Sequence, residues 1–80
     1  MGVKNMVVKR FNEICEEKGI VYNELARLAG VTPSTVYSMM NEERKDVSII
    51  TIKKLLDGLD MTLSEFFSTP EFDALEPEIK

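Results

Sequence analysis

The stretch Val21-Tyr22-Asn23-Glu24-Leu25-Ala26-Arg27-Leu28-Ala29-Gly30-Val31-Thr32-Pro33-Ser34-Thr35-Val36-Tyr37-Ser38-Met39-Met40-Asn41 holds two short apolar-faced segments separated by one glycine. Leu25, Ala26, Leu28 and Ala29 give the first segment a narrow apolar face of mostly small side chains, at helical spacing. Gly30 is placed to end that helix in the left-handed region, and Thr32-Pro33 reads as an N-cap followed by proline at the first helical position. In the second segment Val36, Met39 and Met40 face inward, while Ser34, Tyr37, Ser38 and Asn41 share another face that is polar and able to hydrogen-bond. Glu24 stands three residues after Val21, as in a capping box, but Val21 has no hydroxyl, so a frayed first turn is expected there. Ala26, four residues before the glycine, leaves room for a close crossing, and the whole has the local geometry of a helix-turn-helix. Two apolar helices around a glycine turn suit any helical bundle equally well, so the flanking sequence has to decide.

On the N-terminal side, Val7, Phe11, Ile14 and Cys15 recur at spacings of three and four, and Gly19 with Ile20 beyond it ends that helix. On the C-terminal side, Ser48 caps a helix whose Ile49, Ile52, Leu55, Leu56 and Leu59 form the strongest apolar stripe in the chain. Asp60 ends it, in a position where glycine would be easier. Thr62-Leu63-Ser64-Glu65 then matches a capping box, with Met61 spaced to staple against Phe66. After Pro70, the spacing of Phe72, Leu75 and Ile79 suits a last amphipathic turn or two, interrupted by Pro77. No strand alternation is present. The reading is all-α: five helices over residues 1–68 and a short acidic tail over 69–80.

Composition narrows the function. A chain of 80 residues is one domain that buries roughly 60% of its unfolded surface, so its core must be efficient. No stretch approaches a membrane span, and the first residues lack an apolar signal segment, which predicts a cytoplasmic protein with no membrane partner. A single cysteine and no histidine leave neither an internal disulfide nor a zinc set, and they remove the usual general base. No catalytic constellation, metal or cofactor is expected. Net charge is −4, which argues against a binder relying on a strongly basic surface, yet Glu71, Asp73, Glu76 and Glu78 against Lys80 place three of those charges in the tail.

The sequence resembles the phage repressor and Cro (XRE) family of transcriptional regulators. The likeness rests on residues 23–32 and 34–38, and continues through Thr51-Ile52-Lys53-Lys54-Leu55-Leu56-Asp57-Gly58-Leu59 and Thr62-Leu63-Ser64-Glu65-Phe66-Phe67. It implies a five-helix, lambda-repressor-like domain that binds operator DNA as a homodimer and reads bases from the start of the third helix. The matching reader positions are Pro33, Ser34, Thr35, Tyr37 and Ser38, to which Asn41 on the same face is added. None of the five makes a bidentate base contact of the arginine–guanine or glutamine–adenine kind, so sequence discrimination is either modest or leans on Asn41, Tyr37 packing and DNA shape. Phosphate contacts fall to Tyr22, Asn23, Thr32, Arg44 and Lys45. For Tyr37 the competing reading is partial burial against the fourth helix.

Departures from the family pattern are informative. Val21-Tyr22 stands where a hydroxyl cap and a glutamine are usual, and Cys15 and Met40 stand where the family often pairs an arginine with a glutamate. An apolar Cys15–Met40 pair predicts a packed core in place of a buried ion pair, and a structural thiol. Glu42-Glu43, directly after the reading helix, would face phosphate unfavourably. Leu63, Phe66, Phe67, Phe72, Leu75 and Ile79 supply the apolar surface for a homodimer interface, although some can serve the chain's own core. The acidic tail reads as a solvated end, or as a strip for a protein partner or for the DNA-facing surface. The rival function is an antitoxin-like or anti-repressor interaction module on the same fold without strong DNA binding.

Overall fold

A computed structural model describes residues 2–44 and 46–79, and among these all regular structure is helical. The helices are α1 (Val3–Lys18), α2 (Tyr22–Ala29), α3 (Pro33–Met40), α4 (Ile49–Gly58), α5 (Leu63–Phe67) and α6 (Pro70–Asp73). The expected five are α1 to α5; the turn after Pro70 is the sixth, one turn long. Their ends follow from local chemistry. Thr32, Ser48 and Thr62 each accept a backbone N–H of the first turn they cap, and the Thr62–Glu65 capping box is complete. Val21 caps α2 without a side-chain hydrogen bond, as its apolar side chain requires.

The helices α1, α2 and α4 stop in the same way. Two residues beyond α1 and α2 and three beyond α4, a backbone N–H returns to a carbonyl five residues back, Ile20 to Cys15, Val31 to Ala26 and Met61 to Leu56, at 2.9 to 3.0 Å. The residue just before each returning N–H adopts a left-handed backbone: Gly19, Gly30 and, with φ 56°, Asp60. The expected cost at Asp60 is therefore present, and the turn is held by its hydrogen bonds.

Val7, Phe11, Ile14, Leu25, Ala26, Val36, Ile52, Leu55, Leu56 and Phe66 are the centre of one core. Cys15 and Met40 are buried in that same core, in keeping with the apolar replacement of a polar pair. Two expectations fail. Ile49, placed on the α4 core stripe by its spacing, is 55% exposed, because it begins the helix and projects past the rim of the core, where Val47 packs instead. Leu28, read as part of the α2 face, lies outside the core because the adjoining backbone is occupied by Gly58 of α4. A Cβ at Gly58 would lie 2.7 Å from the backbone nitrogen of Ala29, so α2 and α4 approach backbone to backbone.

The C-terminal segment folds back on α1. Glu71 pairs with Lys9 at 3.0 Å, and Glu78 Oε2 accepts the Val3 N–H at 3.1 Å, one of the unpartnered donors of the α1 N-terminus. Phe72 packs against Phe66 and Phe67 with ring centroids 5.8 and 4.9 Å apart. Arg10 closes the end of α5, donating from Nε to the Phe66 carbonyl at 3.2 Å.

Candidate nucleic-acid interface

The turn between α2 and α3 is Gly30-Val31-Thr32. Gly30 supplies φ 70°, Val31 tucks in against the core, and Thr32 Oγ1 accepts the Thr35 N–H at 3.3 Å. Leu25 and Ala26 from α2 and Val36 from α3 are fully buried between them, so α3 is fixed with its other face outward. Pro33, Ser34 and Tyr37 are exposed there, and Thr35 and Ser38 are half-buried.

The outward face of α3 divides in two. On one side Ser34, Thr35 and Ser38 line an open groove of about 440 Å³ whose other wall is Arg44, Asp46, Ser48 and Thr51. The groove thus sets Ser34, Thr35 and Ser38 beside Arg44 and beside the capped start of α4. On the other side Tyr37 leans away from the groove and meets Tyr22 of α2 edge to face, with centroids 5.3 Å apart. Its packing partner is therefore α2, not the fourth helix, because the turn carries the middle of α3 back over the first turn of α2.

Residues 10–71 match the Cro/C1-type HTH DNA-binding domain. The chain belongs to that family. This Cro/C1-type domain is also 38% identical over 63 residues to the HTH-type transcriptional regulator PuuR of Escherichia coli (strain K12), and equally to that of Shigella flexneri. Each match covers 79% of this chain and 34% of the relative, so the chain spans about a third of the length of these curated relatives. No solved structure matches it significantly. Among the described residues no helix is long and apolar enough to cross a membrane.

Within this Cro/C1-type domain the sequence-derived site residues are placed unequally. Ser34, Thr35, Ser38 and Arg44 come together on the groove, and Pro33 stands exposed at the start of α3. Asn23 and Thr32 are exposed at the starts of α2 and α3; Lys45 lies outside the described residues. Tyr22 does not present a free phosphate donor, because it is half-buried and its hydroxyl donates to Asn12 Oδ1. Burial also pushes that hydroxyl's pKa upward. Asn41 is a turn former: its Oδ1 accepts the Glu43 N–H at 2.9 Å, which engages the acceptor that a bidentate contact to adenine uses.

Of the apolar surface assigned to a second copy, Phe66 is fully buried inside this chain, where Phe11, Phe67 and Phe72 surround it, so it has no surface to offer. Leu63, Phe67, Phe72 and Leu75 are half-buried, and Ile79 is exposed. Two features escaped the sequence reading. Ser48, read only as a helix cap, lines the groove with Asp46 and Thr51. Lys4 is buried, with Nζ donating to the carbonyls of Asn41 and Arg44; its signal was a lysine three and seven residues ahead of Val7 and Phe11 on the apolar stripe.

Proposed function

We propose that this chain is a transcriptional regulator, acting as a repressor, that binds operator DNA as a homodimer with the N-terminal half of α3 in the major groove. The observation that carries the reading is the single concavity in which Ser34, Thr35 and Ser38 lie beside Arg44. Hydroxyl groups that both donate and accept suit base edges, and the guanidinium suits the adjoining phosphate. Family membership and the likeness to the HTH-type transcriptional regulator PuuR support regulation of transcription. Leu63, Phe67, Phe72, Leu75 and Ile79 are the surface offered to the second copy, with Phe66 as the core beneath it. Ser34, Ser38, Thr35, Tyr37 and Pro33 are assigned to the bases, and Arg44, Asn23, Thr32 and Lys45 to the phosphates.

A second reading, a protein-interaction module with little DNA affinity, is favoured by one observation: Asp46 lines the same groove, and Glu42 and Glu43 are exposed next to it. The two readings part in a titration of the protein with random-sequence duplex DNA across a salt series. Phosphate contacts make the logarithm of the binding constant fall linearly with the logarithm of salt, by about 0.9 per phosphate neutralised. A linear fall supports DNA binding; no measurable duplex binding at low salt supports the interaction module.

A further inference from the structure

The end of α3 is held by a side chain that the DNA-binding surface does not contain. Lys4 stands on the core-facing stripe of α1, where an apolar residue would pack as well, and it is 7% exposed. An ammonium withdrawn from water costs several kcal/mol unless its donors are taken up, and here Nζ donates to the Asn41 carbonyl at 2.8 Å and to the Arg44 carbonyl at 2.9 Å. The first of these oxygens caps the negative end of α3, where a cation is favoured. It also accepts the Arg44 N–H at 3.1 Å, so one carbonyl closes the 41–44 turn and ties it to α1. The Asn41 side chain completes the turn through the Glu43 N–H.

What this turn delivers is Arg44. Arg44 is exposed and lines the groove with Ser34, Thr35 and Ser38, within a run of Glu42, Glu43 and Asp46 whose carboxylates repel phosphate. The position of the Arg44 backbone decides whether the guanidinium or these acids meet the DNA. We propose that Lys4 is a positioning residue for DNA binding: its buried ammonium, bridging the Asn41 and Arg44 carbonyls, sets the turn that presents Arg44 to phosphate. The proposal rests on the DNA-binding reading above and adds a determinant to it that touches no DNA.

The test is a double-mutant cycle of Lys4→Met and Arg44→Gln, read as the salt dependence of binding to a random-sequence duplex, with thermal melts fixing a temperature at which each variant is folded. Arg44→Gln makes the log–log slope shallower by about 0.9, one phosphate contact. Lys4→Met, which keeps the buried stem, produces the same shallowing, and the double variant is no shallower than Arg44→Gln alone. Equal slopes for Lys4→Met and the unchanged protein overturn the proposal, as do additive losses in the double variant, since a purely structural lysine alters stability without removing one particular phosphate contact. Should Lys4→Met melt below the assay temperature, Lys4→Arg, which keeps a cationic donor, retains the original slope; a shallower slope in that folded variant overturns the proposal. If the unchanged protein binds no duplex at low salt, the DNA-binding reading fails and this one with it. Binding that ignores the Lys4 substitution removes this one alone.

Discussion

The rings of Tyr22 and Tyr37 meet at 75° with centroids 5.3 Å apart, joining the first turn of α2 to the middle of α3 on the solvent side of the helix pair. Leu25, Ala26 and Val36 join the same two helices from inside. The orientation of α3 is thus fixed from both sides. An edge-to-face pair adds about 0.5–1.5 kcal/mol beyond its buried area, so a cycle of Tyr22→Ala and Tyr37→Ala in urea unfolding yields a coupling in that range. Strict additivity would show that the two rings touch without stabilising the turn.

Gly58 meets backbone, not side chain, at Ala29 and Leu28. Alanine there gains up to about 1 kcal/mol of helix propensity, but the added methyl pushes α4 off α2, at a cost of about 1–3 kcal/mol. Gly58→Ala is therefore net destabilising, and a fall in the urea midpoint with an unchanged slope checks it. A rise in the midpoint would place the two helices further apart than described.

Stability depends on pH at both ends of the range. The Cys15 thiol is raised above its usual 9.0 by burial, so above that value the unfolded chain loses a proton that the folded chain keeps, and stability falls as pH rises. Glu65 is held below its usual 4.5 by the Thr62 backbone N–H and then the Thr62 hydroxyl; its contribution is present above 4.5 and is lost as pH falls through the lower folded value. Glu24 follows the same sign through its hydrogen bond with Arg27. Urea midpoints across pH check all three, with Cys15→Ala flattening the alkaline limb and Glu65→Ala the acid one. Labelling of Cys15 in the folded protein is slower than in the unfolded chain.

Phe66 and Ile79 separate folding from self-association. Phe66→Ala removes a fully buried ring at a cost of about 3–5 kcal/mol, a large share of the stability expected of a domain this size. Ile79→Lys leaves the unfolding of dilute protein unchanged and weakens the dimer in sedimentation equilibrium. A dimer indifferent to Ile79→Lys would move the interface away from the C-terminal segment.

The helices were legible because their signals are local. Gly19, Gly30, Asp60, Thr32, Ser48 and Thr62 each act on a backbone group a few residues away, so their positions alone foretell where α1, α2 and α4 end and where α3, α4 and α5 begin. Side-chain roles set by distant segments were not legible. Helical spacing placed Ile49 on the core stripe but carries no information on where the neighbouring helices stop. Tyr22 and Asn41 have the right chemistry for DNA, yet the Tyr22 hydroxyl is engaged by Asn12 and the Asn41 Oδ1 by Glu43. Lys4 is separated from Asn41 by 37 residues, and only the folded chain brings them together. Ser34, Thr35, Ser38 and Arg44 line one groove because α3 and the turn after it are contiguous in sequence.

Selection of bound sequences from a random duplex pool tests the central claim, that α3 reads DNA from a two-fold dimer. A two-fold dimer enriches one palindrome with half-site centres one helical turn apart, about 34 Å, and loses that enrichment when Ser34 and Ser38 are both replaced by alanine. A pool that emerges unenriched, from protein that is folded and dimeric, would contradict it.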